Sequence, residues 1–246
     1  MQRTSPRRTW PGRNTPRGTP TGTRWPHRDR PGRNWLRWPG SRRRERAALL
    51  GAALAAADRG WPVVPGAHAV PGLLGPCSCA DPCCPVPGAH PHDPPLLAAS
   101  TDARMVSWWW GERNQGSPVL LATGRTVCAV SLPAEAGERA LEYFGLLGLP
   151  IGPVLASGRR YVVLVAPYSL EGLGGLLAEL PWVPGSLRFH GPDGYLLLPP
   201  SQTGAGCVRW IRPPVEGQFL LPRVEQLLGA LIAASRRAPD GSRLAF

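Results

Sequence analysis

The first 46 residues lack the means to bury a core, and this confines any folded domain to residues 47–246 and a few before them. They hold seven Pro, five Gly, four Trp and 14 Arg, with Asp29 and Glu45 as the only acids and almost no aliphatic side chains. Chain of that kind recovers too little apolar burial to offset its conformational entropy. We therefore expect a disordered Arg/Pro-rich tail over residues 1–41, a domain over 42–238 and a short C-terminal tail over 239–246. Arg interleaved with Trp suits phosphate contact and base stacking. The same composition fits a stretch translated upstream of the domain's true start, which is the preferred reading of the tail.

The tail also accounts for the charge. The chain of 246 residues carries a formal +12, and residues 1–46 alone carry +12. Residues 47–246 balance 14 Arg against 14 acids, so the domain is formally neutral and does not read as a tight duplex binder. Every basic residue is Arg. Chemistry based on a Lys nucleophile, base or phosphate clamp is thereby excluded. No run approaches the roughly 20 apolar residues of a membrane span, and Ala47–Ala57 only faintly imitates a signal peptide. A cytoplasmic protein without a membrane partner is expected.

Periodicity and turn signals outline the domain. Glu45–Asp58 is a strong helix former closed by Gly60, with Trp61-Pro62 barring continuation. Val63-Val64 reads as a short strand. Asp102 caps a short helix that runs to the Trp108-Trp109-Trp110 cluster, which should pack that helix onto a sheet. Pro118–Ala122 and Thr126–Leu132 read as strands around the turn Thr123-Gly124-Arg125. Pro133 opens a helix to about Leu147. Arg160–Ala166 is a strand, and Leu170–Leu180 a helix weakened by Gly172, Gly174 and Gly175. Ser186–His190, Tyr195–Leu198 and Cys207–Ile211 are further strands, with Cys207 a buried small hydrophobe. An amphipathic helix from Pro222 to Ser235 closes the pattern. Hairpins mixed with helices define an α+β fold.

Residues 65–100 are too long a loop to stand without a staple. Within 77–92 lie Cys77, Cys79, Cys83, Cys84, His90 and His92. Thiolates and imidazoles in fours are the tetrahedral set that Zn²⁺ prefers. Cys77, Cys79, Cys84 and His90 are the preferred ligands of a closed, structural zinc site, with Cys83 and His92 as alternatives. Free thiols or disulfides are the competing readings.

Four segments then fall into a familiar order: Arg59-Gly60-Trp61-Pro62-Val63; the cysteine loop with Pro87-Gly88-Ala89-His90-Pro91; Leu121-Ala122-Thr123-Gly124 before a strand; and Gly194-Tyr195-Leu196-Leu197-Leu198-Pro199-Pro200-Ser201. Over about residues 45–215 this resembles the N-terminal domain of bifunctional DNA primase/polymerases of the archaeo-eukaryotic primase superfamily, in the cysteine-loop form common in high-GC actinobacteria. The resemblance implies a mixed, mainly antiparallel RRM-like sheet, binding of nucleotide and template, and nucleotidyl transfer with Mg²⁺ or Mn²⁺. It also implies two Asp on the strand after the Thr-Gly turn and a His on the next strand. Here Cys128 and Ser131 stand where the Asp pair is expected, and Arg160 where the His is expected. Hydroxyl and thiol groups do not replace carboxylates as Mg²⁺ ligands, so a degenerate catalytic site is the leading expectation.

What remains is binding. Arg159 and Arg160 suit phosphates, the Ser157-Gly158 turn could bring backbone N–H groups to an anion, and the resemblance suggests that Ser201 touches a nucleotide. Two alternatives stand beside this. One is an active polymerase using displaced carboxylates such as Glu135, Glu138 or Asp193. The other is a zinc-stabilised protein-interaction domain. His190, beside Gly191 and Asp193, reads as turn chemistry. A chain of this length leaves no room for a helicase module, so a role in replication would need a separate helicase or other replication partner.

Overall fold

The computed structural model describes residues 39–70, 77–79, 81–204, 206–215, 217 and 221–236. Residues 1–38 of the expected disordered tail and the whole C-terminal tail lie outside the described residues, while residues 39–41 are helical, extending the helix expected from Glu45. Helix α1 (Pro39–Asp58) places Pro at its first position, where the missing N–H costs nothing. It ends at Gly60, whose φ of +73° is the left-handed conformation that a helix C-terminus favours. Leu49, Ala53, Ala56 and Ala57 form its buried stripe, at the three-to-four spacing of one helical face.

Two antiparallel sheets come next. The smaller joins β1 (Val63–Pro65), β2 (Val119–Ala122) and β7 (Tyr195–Leu198) in the order β1-β2-β7. The larger is built from β3 (Cys128–Pro133), β4 (Val154–Ser157), β5 (Arg160–Val165), β6 (Arg188–His190) and β10 (Arg209–Arg212), in the order β10-β4-β5-β3-β6. A two-residue pair, β8 (Gln202–Thr203) and β9 (Gly206–Cys207), forms a separate small hairpin. Strand β4 was not foreseen. It arises because Gly158, at φ +57°, closes a tight turn that folds Val154–Ser157 back onto β5.

The larger sheet lies between two apolar layers. Helices α3 (Ala134–Leu146) and α5 (Val224–Ser235) cover one face, where Val130, Leu132, Val163 and Val165 meet Ala136, Ala140, Phe144, Leu227 and Leu231. The opposite face sends Ala129, Leu155, Val162 and Leu164 into a second cluster with α1, Trp109, Trp110 and the smaller sheet. Both faces of β3 and β5 are thus covered, which explains why these strands read as nearly unbroken apolar runs. Gly137 lets α3 approach closely, since a Cβ there would lie 2.5 Å from the Tyr161 ring. Arg139 ties α3 to the end of α5 by donating from Nε and Nη2 to the Ala234 carbonyl, at 3.1 and 3.0 Å.

The remaining elements are α2 (Ala103–Trp108) and α4 (Leu170–Ala178). Asp102 caps α2 by accepting from the Arg104 N–H at 2.8 Å. The helix then widens into a π-turn over Trp109–Arg113. Trp109 and Trp110 are buried as expected, and the indole of Trp110 donates to the Ser117 carbonyl at 2.9 Å. Trp108 stays exposed with Arg113 over its ring. The fold is α+β. The expected strand 207–211 divides instead: Cys207 pairs with β8 and is exposed, while Val208 turns inward and Arg209–Arg212 joins β4.

Candidate functional site

Strand β3 decides which side chains can share a site. Side chains alternate across a sheet. Cys128, Val130 and Leu132 face α3 and α5, whereas Ala129 and Ser131 face the other way. Cys128 is fully buried among apolar side chains, and burial pushes its thiol up. Cys128 and Ser131, at the two positions where Asp is expected, thus lie on opposite faces of β3. Residues three apart on a strand point to opposite faces, and the pair sharing one face is Ala129 and Ser131.

Ser131 opens onto a cavity of about 170 Å³ lined by Ser157, Arg160, Arg188, His190 and Tyr195, among others. Neighbouring strands bring these groups in. Across β5, the Arg160 guanidinium donates from Nε to Ser131 Oγ at 3.2 Å, and from Nη2 to the carbonyls of Ser131 and Ser186, both at 2.7 Å. On the other flank β6 pairs Ser131 with Arg188 and Ala129 with His190, and His190 Nε2 lies 2.9 Å from Ser131 Oγ. His190 was expected to serve a turn. The structure corrects this by placing it beside Ser131, because its strand is an edge partner of β3.

The electrostatics are one-sided. Among the described residues no Asp or Glu lines this cavity. Burial, then the charge of Arg188, lowers Arg160 to about 10, so it remains a cation at neutral pH. Burial, then Arg160 and Arg188, depresses His190 to about 4 and keeps it neutral. The arrangement can hold an anion; it offers a divalent cation hydroxyls and one imidazole but no carboxylate, against two guanidiniums.

The other candidates lie elsewhere. Ser201 is fully buried, and its Oγ accepts from the Val119 N–H at 2.8 Å. Its hydroxyl supports β2 and is not presented to a ligand. Arg159 is exposed on the β4–β5 turn, outside the cavity lining. Glu135 and Glu138 lie on the exposed side of α3, on the far face of the sheet, where Glu138 accepts from the Tyr161 hydroxyl at 3.4 Å. Asp193 lines a different cleft of about 490 Å³ with Pro62, Thr123, Gly124 and Arg125. Sequence reasoning missed Arg188 and His190. Their signal was the Arg-Phe-His alternation of β6, which puts both on one face.

The cysteine loop gathers a second site. Ligand atoms of Cys77, Cys79, Cys84 and His90 all lie within 4.8 Å of one another. Cys83 is exposed and outside the group, as is His92. His90 Nε2 stands 3.3 Å from Cys77 Sγ and 3.4 Å from Cys84 Sγ. Its Nδ1 is 2.8 Å from the Pro91 carbonyl, a contact that fixes the ring with Nε2 toward the thiols. Burial acts to raise the Cys77 thiol, but hydrogen bonds from the Cys79 and Gly88 N–H groups and from His90 outweigh it and lower it to about 6. Burial, together with Cys79 and Cys77, pushes Cys84 up to about 11. A cation would relieve that opposition, and this Cys₃His donor set could bind a metal such as zinc.

An α+β domain with one central sheet, a cationic cavity on one strand and a Cys₃His loop is the class so defined. The family model for the bifunctional DNA primase/polymerase N-terminal domain matches residues 53–224, and the chain belongs to that family. Membership carries a primase/polymerase-like role with nucleic acid or nucleotides. No curated protein matches the chain. Among the described residues no helix is long and apolar enough to cross a membrane.

Proposed function

We propose that this chain is a divergent primase/polymerase domain that binds nucleotide or single-stranded nucleic acid at the Ser131 cavity without two-metal nucleotidyl transfer. One observation carries the reading. The face of β3 that opens onto the cavity presents Ser131 and no carboxylate, and the groups around it are Arg160, Arg188 and His190. In-line transfer with two metals needs anionic ligands between the ions and the protein. The displaced-carboxylate alternative is disfavoured because Glu135, Glu138 and Asp193 do not line the cavity.

Arg160 and Arg188 are the binding groups, with Arg159 on the adjoining turn adding charge. Zinc on Cys77, Cys79, Cys84 and His90 would hold the cysteine loop in a structural role. We place the domain at residues 42–238 in the cytoplasm, with strand opening left to a separate helicase or other replication partner.

The test is incorporation of labelled nucleotide on a primed single-stranded template with Mg²⁺ or Mn²⁺. The native chain should be silent. A Ser131→Asp variant, which puts one carboxylate into the cavity, should stay silent as well, because one acid among two guanidiniums does not hold two metals. Incorporation by the native chain would overturn the reading.

A further inference from the structure

We propose that the Ser131 cavity is a metal-independent socket for a single phosphomonoester group. It would be carried either by a free mononucleotide or by a phosphorylated end of a nucleic-acid strand. This rests on the binding role proposed above and narrows its ligand.

Size is the first argument. Sites that enclose a drug-sized ligand span about 300–1,000 Å³, and this cavity has about 170 Å³. At about 30 Å³ per water, it has room for a phosphate group and its nearest waters. A whole nucleoside triphosphate does not fit. The base and sugar would stay outside while the phosphate enters.

Donors are the second argument. The hydrogen bonds of Arg160 to Ser131 and Ser186 use Nε and Nη2, leaving Nη1 available to a ligand. Those same bonds anchor the guanidinium to the backbone of β3 and to Ser186, so it does not have to be ordered on binding. Arg188 is exposed and makes no ion pair among the described residues. Ser131 Oγ accepts from Arg160 Nε. When His190 carries its hydrogen on Nε2, Ser131 accepts from that as well, and its own hydrogen is free for a phosphate oxygen. The Ser157 hydroxyl also lines the space.

Charge is the third argument. Two guanidiniums share a cavity whose described lining holds no carboxylate, an arrangement that a dianion relieves and a chelated cation aggravates. A phosphate masked by Mg²⁺, as in a nucleoside triphosphate, brings positive charge to a place with no ligand for it. A bare phosphomonoester brings the charge that is missing.

The experiment uses the full chain in EDTA and again in Mg²⁺. Orthophosphate, a nucleoside 5′-monophosphate and its triphosphate are titrated by calorimetry. Short single-stranded oligonucleotides with 5′-phosphate, 3′-phosphate or hydroxyl ends are compared by fluorescence anisotropy. The Arg-rich segment of residues 1–46 also attracts the added charge of a phosphorylated end, so the readout is the part of the end preference that Arg188→Gln removes.

The expected result is binding of orthophosphate or monophosphate that survives EDTA. With it goes a preference of about tenfold for one phosphorylated end, or for the free mononucleotide if that is the source. Arg188→Gln should erase the preference with the thermal midpoint unchanged, while Arg104→Gln on α2 should keep it. Binding that requires Mg²⁺, or equal affinity for phosphorylated and hydroxyl ends with no monophosphate binding, overturns the socket. If Arg188→Gln still weakens triphosphate or oligonucleotide binding in that case, the broader binding role survives. If it changes nothing, both fall.

Discussion

Introducing one carboxylate at either of two nearby positions on β3 tests the facing of that strand directly. Cys128 is fully buried among Val130, Leu132, Ala136 and their neighbours, and none of the groups that shift its thiol is a cationic side chain. Cys128→Asp must therefore fold either with an unpaired buried charge or with a protonated acid. A free Asp titrates near 3.9, and each pH unit is worth 1.36 kcal/mol, so protonating it at pH 7 costs about 4 kcal/mol. A domain of this size loses roughly 2–4 °C per kcal/mol, which gives a fall of roughly 8–16 °C in thermal midpoint.

The sign with pH comes from the raised folded-state value. The folded protein binds the extra proton between the two values, so stability falls as pH rises and the deficit shrinks by about 1.4 kcal/mol for each unit of acidification toward 4. Ser131→Asp is the contrast. Ser131 is buried too, but its carboxylate would enter a space already holding Arg160 and Arg188, and that pairing should keep the loss well below that of Cys128→Asp. Denaturant titrations of both variants at pH 7 and pH 5, monitored by circular dichroism, measure the two effects. A tolerant Cys128→Asp beside a crippled Ser131→Asp would refute the assignment of faces.

Metal removal bears on the second site: the reconstituted chain should hold one zinc, lost in Cys84→Ser and in His90→Ala but kept in Cys83→Ser, as read by elemental analysis. For His190, the depressed value of about 4 against an unfolded 6.5 means its contribution is intact above pH 6.5 and is lost as pH falls toward 4. That loss is at most about 3 kcal/mol, and His190→Gln should flatten the stability profile across this window. Gly137→Ala should destabilise the domain by about 1–3 kcal/mol, because the new methyl meets the Tyr161 ring at 2.5 Å and α3 must shift to admit it. An unchanged unfolding midpoint would contradict the close approach of α3 to β5.

How much of this was legible beforehand depended on how far apart the interacting residues lie. The capping of α2 by Asp102, the Gly60 stop of α1 and the apolar face of α5 are written within a few neighbouring residues. The cysteine cluster is similar: the four residues that the fold gathers sit within one loop and were the preferred set among six candidates there. The facing of Ala129 with Ser131 was also within reach, since it needs only the two-residue period of a strand.

The cavity was not legible, because its chemistry is assembled across a sheet. Ser131 meets Arg160 over 29 residues of chain and His190 over 59, and only the strand order β5-β3-β6 makes these neighbours. Ser201 shows the same limit from the other side. The family resemblance suggested a ligand contact, yet the packing of its loop against β2 committed the hydroxyl to the Val119 N–H. Local propensity and spacing determined the elements and the cysteine-histidine cluster of this protein. Long-range strand pairing decided which side chains share a face, and so whether that face presents acids to a metal or guanidiniums to an anion.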